Sequence, residues 1–173
     1  MPSIILVIAG TGYHPEEYKK LKEELESQNI NVVTVSDIAP DAIAEDESRT
    51  NVDLRLSEVN MENCGGVIFL GGAGAEKYLN NHLSYQLAVS AKKKDKIYGA
   101  IQVSTRILAR AGVLEYKEAT GWNEDNRLEG ILRKNNAEYE DTEPVVIDGK
   151  AITAVNSDSA EKFGRAIARE LKG

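Results

Sequence analysis

Tyr98-Gly99-Ala100-Ile101-Gln102-Val103-Ser104-Thr105 closes a short apolar run and passes at once into Arg106-Ile107-Leu108-Ala109-Arg110-Ala111-Gly112-Val113-Leu114, which has a helical pattern. A residue at such a strand-to-helix junction is held up toward solvent, beside the first amides of the helix. Enzymes use that position for a nucleophile. Here it is Gln102, whose carboxamide neither ionises nor attacks. If the junction is of this kind, residue 102 should have φ above zero and sit at the crest of the sheet, not inside the core.

Working outward, the chain alternates strands with helices. Ile4 to Ala9 is a continuous apolar run, as in a strand buried on both faces. Gly10-Thr11-Gly12 breaks it, and Pro15-Glu16-Glu17 opens a helix through about Gln28, with proline in the first turn and acids at the positive end of the dipole. Ile30 to Val35 is a second strand. Residues 37–58 are acidic and irregular, with a short edge strand or hairpin where Val52, Leu54 and Leu56 alternate with polar residues. Gly66 to Leu70 is a strand ending in Gly71-Gly72-Ala73-Gly74, followed by a helix near Glu76. His82 to Lys94 is helical with Leu83, Leu87 and Ala91 on one face, and Ile97 to Ile101 leads into the junction. Ala119 to Trp122 reads as a strand end or loop, Asn126 to Asn135 as a helix, Pro144 to Ala154 as a hairpin on Asp148-Gly149, and Ser159 to Leu171 as the closing helix. This alternation predicts an α/β domain with a mostly parallel sheet and helices on both faces. No repeat, low-complexity segment or linker divides residues 1–173, so one domain is expected.

Composition narrows the function classes. The chain has 173 residues and a formal charge of −7. An acidic chain lacks the clustered cations that phosphate neutralisation needs, so no nucleic-acid partner is expected. Lys92-Lys93-Lys94 and Lys96 lie at a helix end, where they oppose the dipole. No apolar run approaches the roughly 20 residues of a membrane helix, so no membrane association is expected. The start of the chain lacks the basic lead of a signal peptide. With Cys64 as the only cysteine, an internal disulfide is excluded and a reducing cytoplasm is the expected location.

Few residues suggest catalysis unaided. Cys64 precedes its strand, at the end of the sheet opposite to where open α/β sheets bind ligands. Ser104 and Thr105 read as helix N-caps in preference to nucleophiles, since no Gly-x-Ser-x-Gly frames them. His14, in the loop after the first strand, either faces solvent or reaches a neighbouring acid or a ligand. His82 is expected to be exposed. The two histidines have no zinc-ligand spacing, and Asp41, Glu45, Asp46 and Glu47 match no calcium loop, so no metal is expected. Neither Gly10-Thr11-Gly12 nor Gly71-Gly72-Ala73-Gly74 completes a nucleotide fingerprint, so no cofactor is expected. The second glycine run instead offers amides at a strand end for a carboxylate or a water. Trp122 either packs in the fold or lines the same crevice.

Several segments together resemble the ThiJ/PfpI superfamily, also called the DJ-one family, relatives of class I glutamine amidotransferases. Val67 to Gly72 resembles its strand ending in Pro-Gly-Gly. Gly99 to Val103 resembles its Ala-Ile-Cys-His elbow, with Leu108 to Leu114 as the helix beyond it. Ala119-Thr120 and the hairpin Glu143 to Thr153 complete the match, which spans nearly the whole chain. The resemblance implies a flavodoxin-like three-layer sandwich and a homo-oligomer, usually a dimer. It places the nucleophile position on Gln102, the adjacent histidine position on Val103 and the acid position on Glu16, with Glu17 the alternative. It places the oxyanion amides on Gly72 and Val103. Family activities include peptidase, glyoxalase-type, deglycase and hydratase chemistry, and a name given by homology would be intracellular protease. Cysteine catalysis needs a thiolate, so that chemistry is not expected here. The implied reading is a non-catalytic small-molecule-binding or stress-related protein, with a site of His14, Glu16, Gly71, Gly72, Gln102, Val103 and Trp122 for a small polar or anionic ligand. The alternative is a non-covalent hydrolase, lyase or glyoxalase-type enzyme with Glu16 as general base.

Overall fold

The computed structural model describes residues 3–173. Its elements in chain order are β1 (Ser3–Ile8), β2 (Thr11–Tyr13), α1 (Pro15–Ser27), β3 (Asn31–Ser36), β4 (Asp41–Ala44), β5 (Arg49–Asn51) and β6 (Leu54–Arg55). There follow β7 (Gly66–Phe69), α2 (Ala75–Leu79), α3 (His82–Lys93), β8 (Ile97–Ile101), α4 (Thr105–Arg110) and β9 (Glu118–Ala119). The chain ends with α5 (Leu128–Lys134), β10 (Glu138–Tyr139), β11 (Val145–Asp148), β12 (Ala151–Ala154) and α6 (Ala160–Lys172).

The main sheet has seven strands in the order β11-β12-β8-β7-β1-β3-β6. All neighbours pair in parallel except β11 with β12, the expected hairpin, whose Asp148-Gly149 turn has Gly149 at φ 62°. Near-continuous apolar sequence fits this placement, because a central parallel strand is covered by helices on both faces. Ile4 to Ile8 are accordingly at most 1% exposed. The α/β sandwich expected from the strand–helix alternation is the observed architecture, and no helix among the described residues is long and apolar enough to cross a membrane.

The chain leaves β1 for β3 on one side and later returns through β7 on the other. The strand order therefore reverses between β1 and β7, and a crevice opens beyond the carboxyl ends of these strands, where sheets of this kind bind ligands.

Three local expectations are corrected. Gly10-Thr11-Gly12 does not simply break the chain: Thr11–Tyr13 is β2, which pairs with β4 in a small three-stranded sheet completed by β5. The acidic segment is not irregular throughout: the expected short edge strand is β6 at the margin of the main sheet, and residues 41–51 form a hairpin docked beside the crevice. Its charges lie on the turn and outer face, while Ala42, Ala44 and Val52 are buried. Leu83 does not share the buried face of α3 with Leu87 and Ala91, but lies in the helix's first turn, 43% exposed.

Candidate functional site

Gln102 follows the last residue of β8 with φ 63°, among the few non-glycine residues with a left-handed backbone. A non-glycine side chain meets a steric cost there, so the conformation persists only where surrounding contacts impose it. Those contacts are local and specific. Ser104 Oγ donates to the Leu70 carbonyl at 2.6 Å and Thr105 Oγ1 donates to the Thr120 carbonyl at 2.7 Å. Both hydroxyls are buried and staple the junction to its neighbours; neither makes the expected side-chain cap on α4. The Trp122 N–H donates to the Gln102 carbonyl at 3.0 Å, tying the loop after β9 to the same turn. Gln102 itself is half-buried at the crest.

The side chain of Gln102 turns toward the glycine run beyond β7. Its Oε1 accepts the Gly72 N–H at 2.6 Å. Gly71 makes the approach possible, since a Cβ there would lie 2.2 Å from Oε1. Gly72 is equally constrained: its φ is 125°, and a Cβ would meet the Gly12 carbonyl at 2.4 Å.

The acid at this site is Glu17, not Glu16. Glu16 is exposed on the outer face of α1 and pairs with Lys20 at 3.3 Å, so it does not point at Gln102. Glu17 is fully buried, and its Oε1 accepts the Gly71 N–H at 3.0 Å. Its Oε2 has no hydrogen-bond partner. Burial pushes the Glu17 carboxyl up to about 8; the Gly71 bond opposes this and the nearby Glu45 charge adds to it. At neutral pH the group is therefore mostly a neutral acid. The sequence carried a signal for this choice: Glu17, Leu21 and Leu25 recur at four-residue spacing and form the buried stripe of α1.

His14 does not face the crevice. It is the N-cap of α1, its Nδ1 accepting the Glu17 N–H at 3.2 Å, with Glu17 Oε2 3.9 Å away. His82 is exposed at the start of α3. Cys64 lies at the amino-terminal end of β7, away from the junction, and burial pushes its thiol up. No group of three or more His, Cys, Asp or Glu with metal-binding geometry occurs among the described residues.

Glu45, Gly72, Ala73, Glu76, Gln102, Val103 and Trp122 line an open cleft of about 320 Å³ above the junction. Of the expected site residues, Gly72, Gln102, Val103 and Trp122 meet here. Gly71 lies just behind, with its amide held by Glu17, while His14 and Glu16 are not part of the lining. Glu45 and Glu76 were not expected. Glu45 sits at the end of β4, and its Oε2 accepts the Ala73 N–H at 3.3 Å. A larger groove, lined by Glu16, Lys20, Glu23 and Arg49 among others, runs along the outer side of α1 away from the junction.

One cleft wall is organised by Arg106, which sequence reasoning also missed. The residue is 1% exposed, and its guanidinium pairs with Glu76 at 3.0 Å and Asp125 at 2.6 Å and lies 5.2 Å from the centre of the Trp122 ring. The Arg106 hydrogen bond holds the Asp125 carboxyl below its ordinary range. Helix α2 and the loop after β9 thus converge on one planar, permanently charged group suited to bidentate and stacking contacts. We expect Arg106→Met to cost about 2–4 kcal/mol in chemical unfolding, because two carboxylates lose their partner, although both can partly rehydrate. The fluorescence of Trp122, the only tryptophan, should change with it. An unchanged unfolding midpoint and spectrum would show that Arg106 does not organise this wall.

The comparisons with known proteins agree with this architecture. A model of the DJ-1/PfpI family matches residues 3–170. An uncharacterised protein from Methanocaldococcus jannaschii is 31% identical over 170 residues, covering 98% of this chain and 82% of that protein. The crystal structure of a ThiJ/PfpI domain protein from Brachyspira murdochii superposes with a TM-score of 0.92 at 28% identity, covering 98% of this chain and 96% of the other. Drosophila melanogaster DJ-1beta has the same fold, with a TM-score of 0.88 at 24% identity over 98% of this chain and 90% of its own. With the family match running through both the glycine turn and the Gln102 junction, the chain belongs to the DJ-1/PfpI family.

Proposed function

We propose that this family member binds a small polar molecule in the cleft above Gln102 and performs no covalent catalysis. The observation that carries the reading is the Gln102 side chain: it occupies the crest at φ 63°, and its Oε1 rests on the Gly72 N–H at 2.6 Å. A carboxamide provides no lone pair comparable to a thiolate and has no useful acid–base state. It does provide a fixed amide, beside the apolar surfaces of Val103 and Trp122, in a cleft of a size suited to a small ligand.

A second reading is proton-transfer chemistry without a covalent intermediate. It draws on one observation, the Glu17 carboxyl held near 8 with an unpartnered oxygen. Against it, Glu17 is sealed from solvent and is not among the residues lining the cleft. A general base has to come within hydrogen-bonding reach of the proton it removes.

The test is an assay of purified protein on methylglyoxal and on generic peptidase substrates, with Gln102→Ala and Glu17→Gln alongside. Rates at the buffer background for all three proteins are expected. Turnover that persists in Gln102→Ala and disappears in Glu17→Gln would overturn the binding reading in favour of proton transfer.

A further inference from the structure

The glycine turn beyond β7 presents four successive amides, and the chain satisfies each of them itself. The Gly71 N–H donates to Glu17 Oε1 at 3.0 Å, Gly72 to Gln102 Oε1 at 2.6 Å, Ala73 to Glu45 Oε2 at 3.3 Å and Gly74 to the Gly12 carbonyl at 2.9 Å. Unsatisfied amides at a strand-to-helix turn are what hold a carboxylate, phosphate or oxyanion. Here no donor of the run is left over. One of the four internal acceptors, Glu45, is an exposed carboxylate that also lines the cleft, so an entering anion would meet like charge there as well as occupied donors. The other cleft carboxylate, Glu76, is paired with Arg106, and no Lys, Arg or His lines the cleft beside Glu45.

Of the four internal acceptors, Gln102 and Glu45 line the cleft, and Gln102 makes the shorter bond, 2.6 Å against 3.3 Å, with a side chain that can be removed without disturbing the buried core. Glu17 is buried under α1, Gly12 O is backbone, and Glu45 reaches in from the hairpin. Gln102 thus acts as a tethered ligand, with its oxygen seated where the oxygen of a bound carboxylate or tetrahedral oxyanion would otherwise sit. We infer that Gln102 is the specificity-determining residue of this cleft: by occupying the Gly72 amide it closes the site to small anions and leaves it to uncharged or cationic ligands. This rests on the reading of the cleft as a binding site and narrows its ligand class, turning away from the anionic ligand that the glycine run suggested in the sequence alone.

Removing the side chain should reverse the selectivity. The experiment follows the Gly72 amide by nitrogen-edited NMR while sodium acetate, and separately acetamide, are added to wild type, Gln102→Ala and Gln102→Gly at about pH 6, well below the Glu17 value of about 8. Glycine relaxes the left-handed backbone that alanine retains, so agreement between the two variants excludes a distorted turn as the cause. Wild type should show no saturable acetate shift at Gly72. Both variants should show one, with affinity at least about tenfold above any wild-type binding, because a charged acceptor replaces a lost hydrogen bond. Acetamide should compete with acetate in the variants, since it resembles the missing side chain. Equal acetate binding by wild type and variants would overturn the inference, and so would no binding by the variants. The broader binding reading is judged separately: a fluorescence screen at Trp122 with uncharged and cationic compounds that finds no ligand for wild type would count against it, whatever acetate does.

Discussion

Gln102→Cys should be alkylated by iodoacetamide at least about tenfold faster than the native Cys64, measured by intact mass at neutral pH in a Cys64→Ser background against wild type. The geometry gives the reason. A sulfur at position 102 would stand half-exposed at the crest, with the Gly72 N–H free to receive it once Oε1 is gone. Amides and positive helix ends favour the thiolate, whereas burial pushes the Cys64 thiol up and its Sγ donates to the Asn60 carbonyl. Glu17, mostly neutral below about pH 8, adds no full negative charge to oppose ionisation. The variant should be labelled without gaining rapid turnover, because Val103 offers no proton shuttle beside it. A labelling rate equal to or below that of Cys64 would mean that the junction no longer favours a reactive group, and that the scaffold has diverged beyond this single side chain.

Stability should fall as pH rises through a window set by Glu17. The folded-state value is raised, from 4.5 to about 8, so the native state holds a proton that the unfolded chain has released. Between these values the unfolded state binds fewer protons and stability declines with increasing pH. The loss is absent below about 4.5, grows across the window and is complete above about 8. For a group sealed from solvent it amounts to on the order of 3 to 5 kcal/mol. Glu17→Gln keeps an oxygen for the Gly71 N–H and removes the titration, so its unfolding free energy should be flatter between pH 5 and 8 and should exceed that of wild type at the upper end. Glu17→Ala should be destabilised at every pH in the window, since it leaves the Gly71 amide without its acceptor and opens a cavity. Chemical unfolding of the three proteins across this range is the measurement. Parallel curves for wild type and Glu17→Gln would show that Glu17 is ionised at neutral pH and that its burial is compensated elsewhere.

Both results bear on the same pair of groups. In the DJ-1/PfpI scaffold of this chain, a buried carboxyl and a half-buried carboxamide meet at one glycine turn. Glu17 holds the amide of Gly71 and Gln102 holds that of Gly72, so the turn is fixed from two sides by the chain itself.

Much of this was legible in the residues. The apolar runs at 4–9, 66–70 and 97–101, each followed by glycine or a helical pattern, specify parallel strands and their helices because burial and hydrogen bonding act over a few neighbouring residues. The Asp148-Gly149 turn gave the hairpin for the same reason, and the junction at Gln102 followed from the abrupt change of period after Ile101. Even the choice of Glu17 over Glu16 was present in its spacing from Leu21 and Leu25, but both acids suit the first turn of a helix equally well, and that local argument obscured the periodic one.

The remainder is a property of the folded molecule alone. Arg106 meets Glu76 and Asp125, and Glu45 reaches Ala73, across separations that no periodicity spans. Position along the chain determined which elements form and in what order, since those interactions are short-ranged. Which side chains share the cleft, and that every amide of the glycine turn is already taken, was decided by the packing of strands, helices and the small hairpin against one another, because only that packing brings distant donors and acceptors within bonding distance.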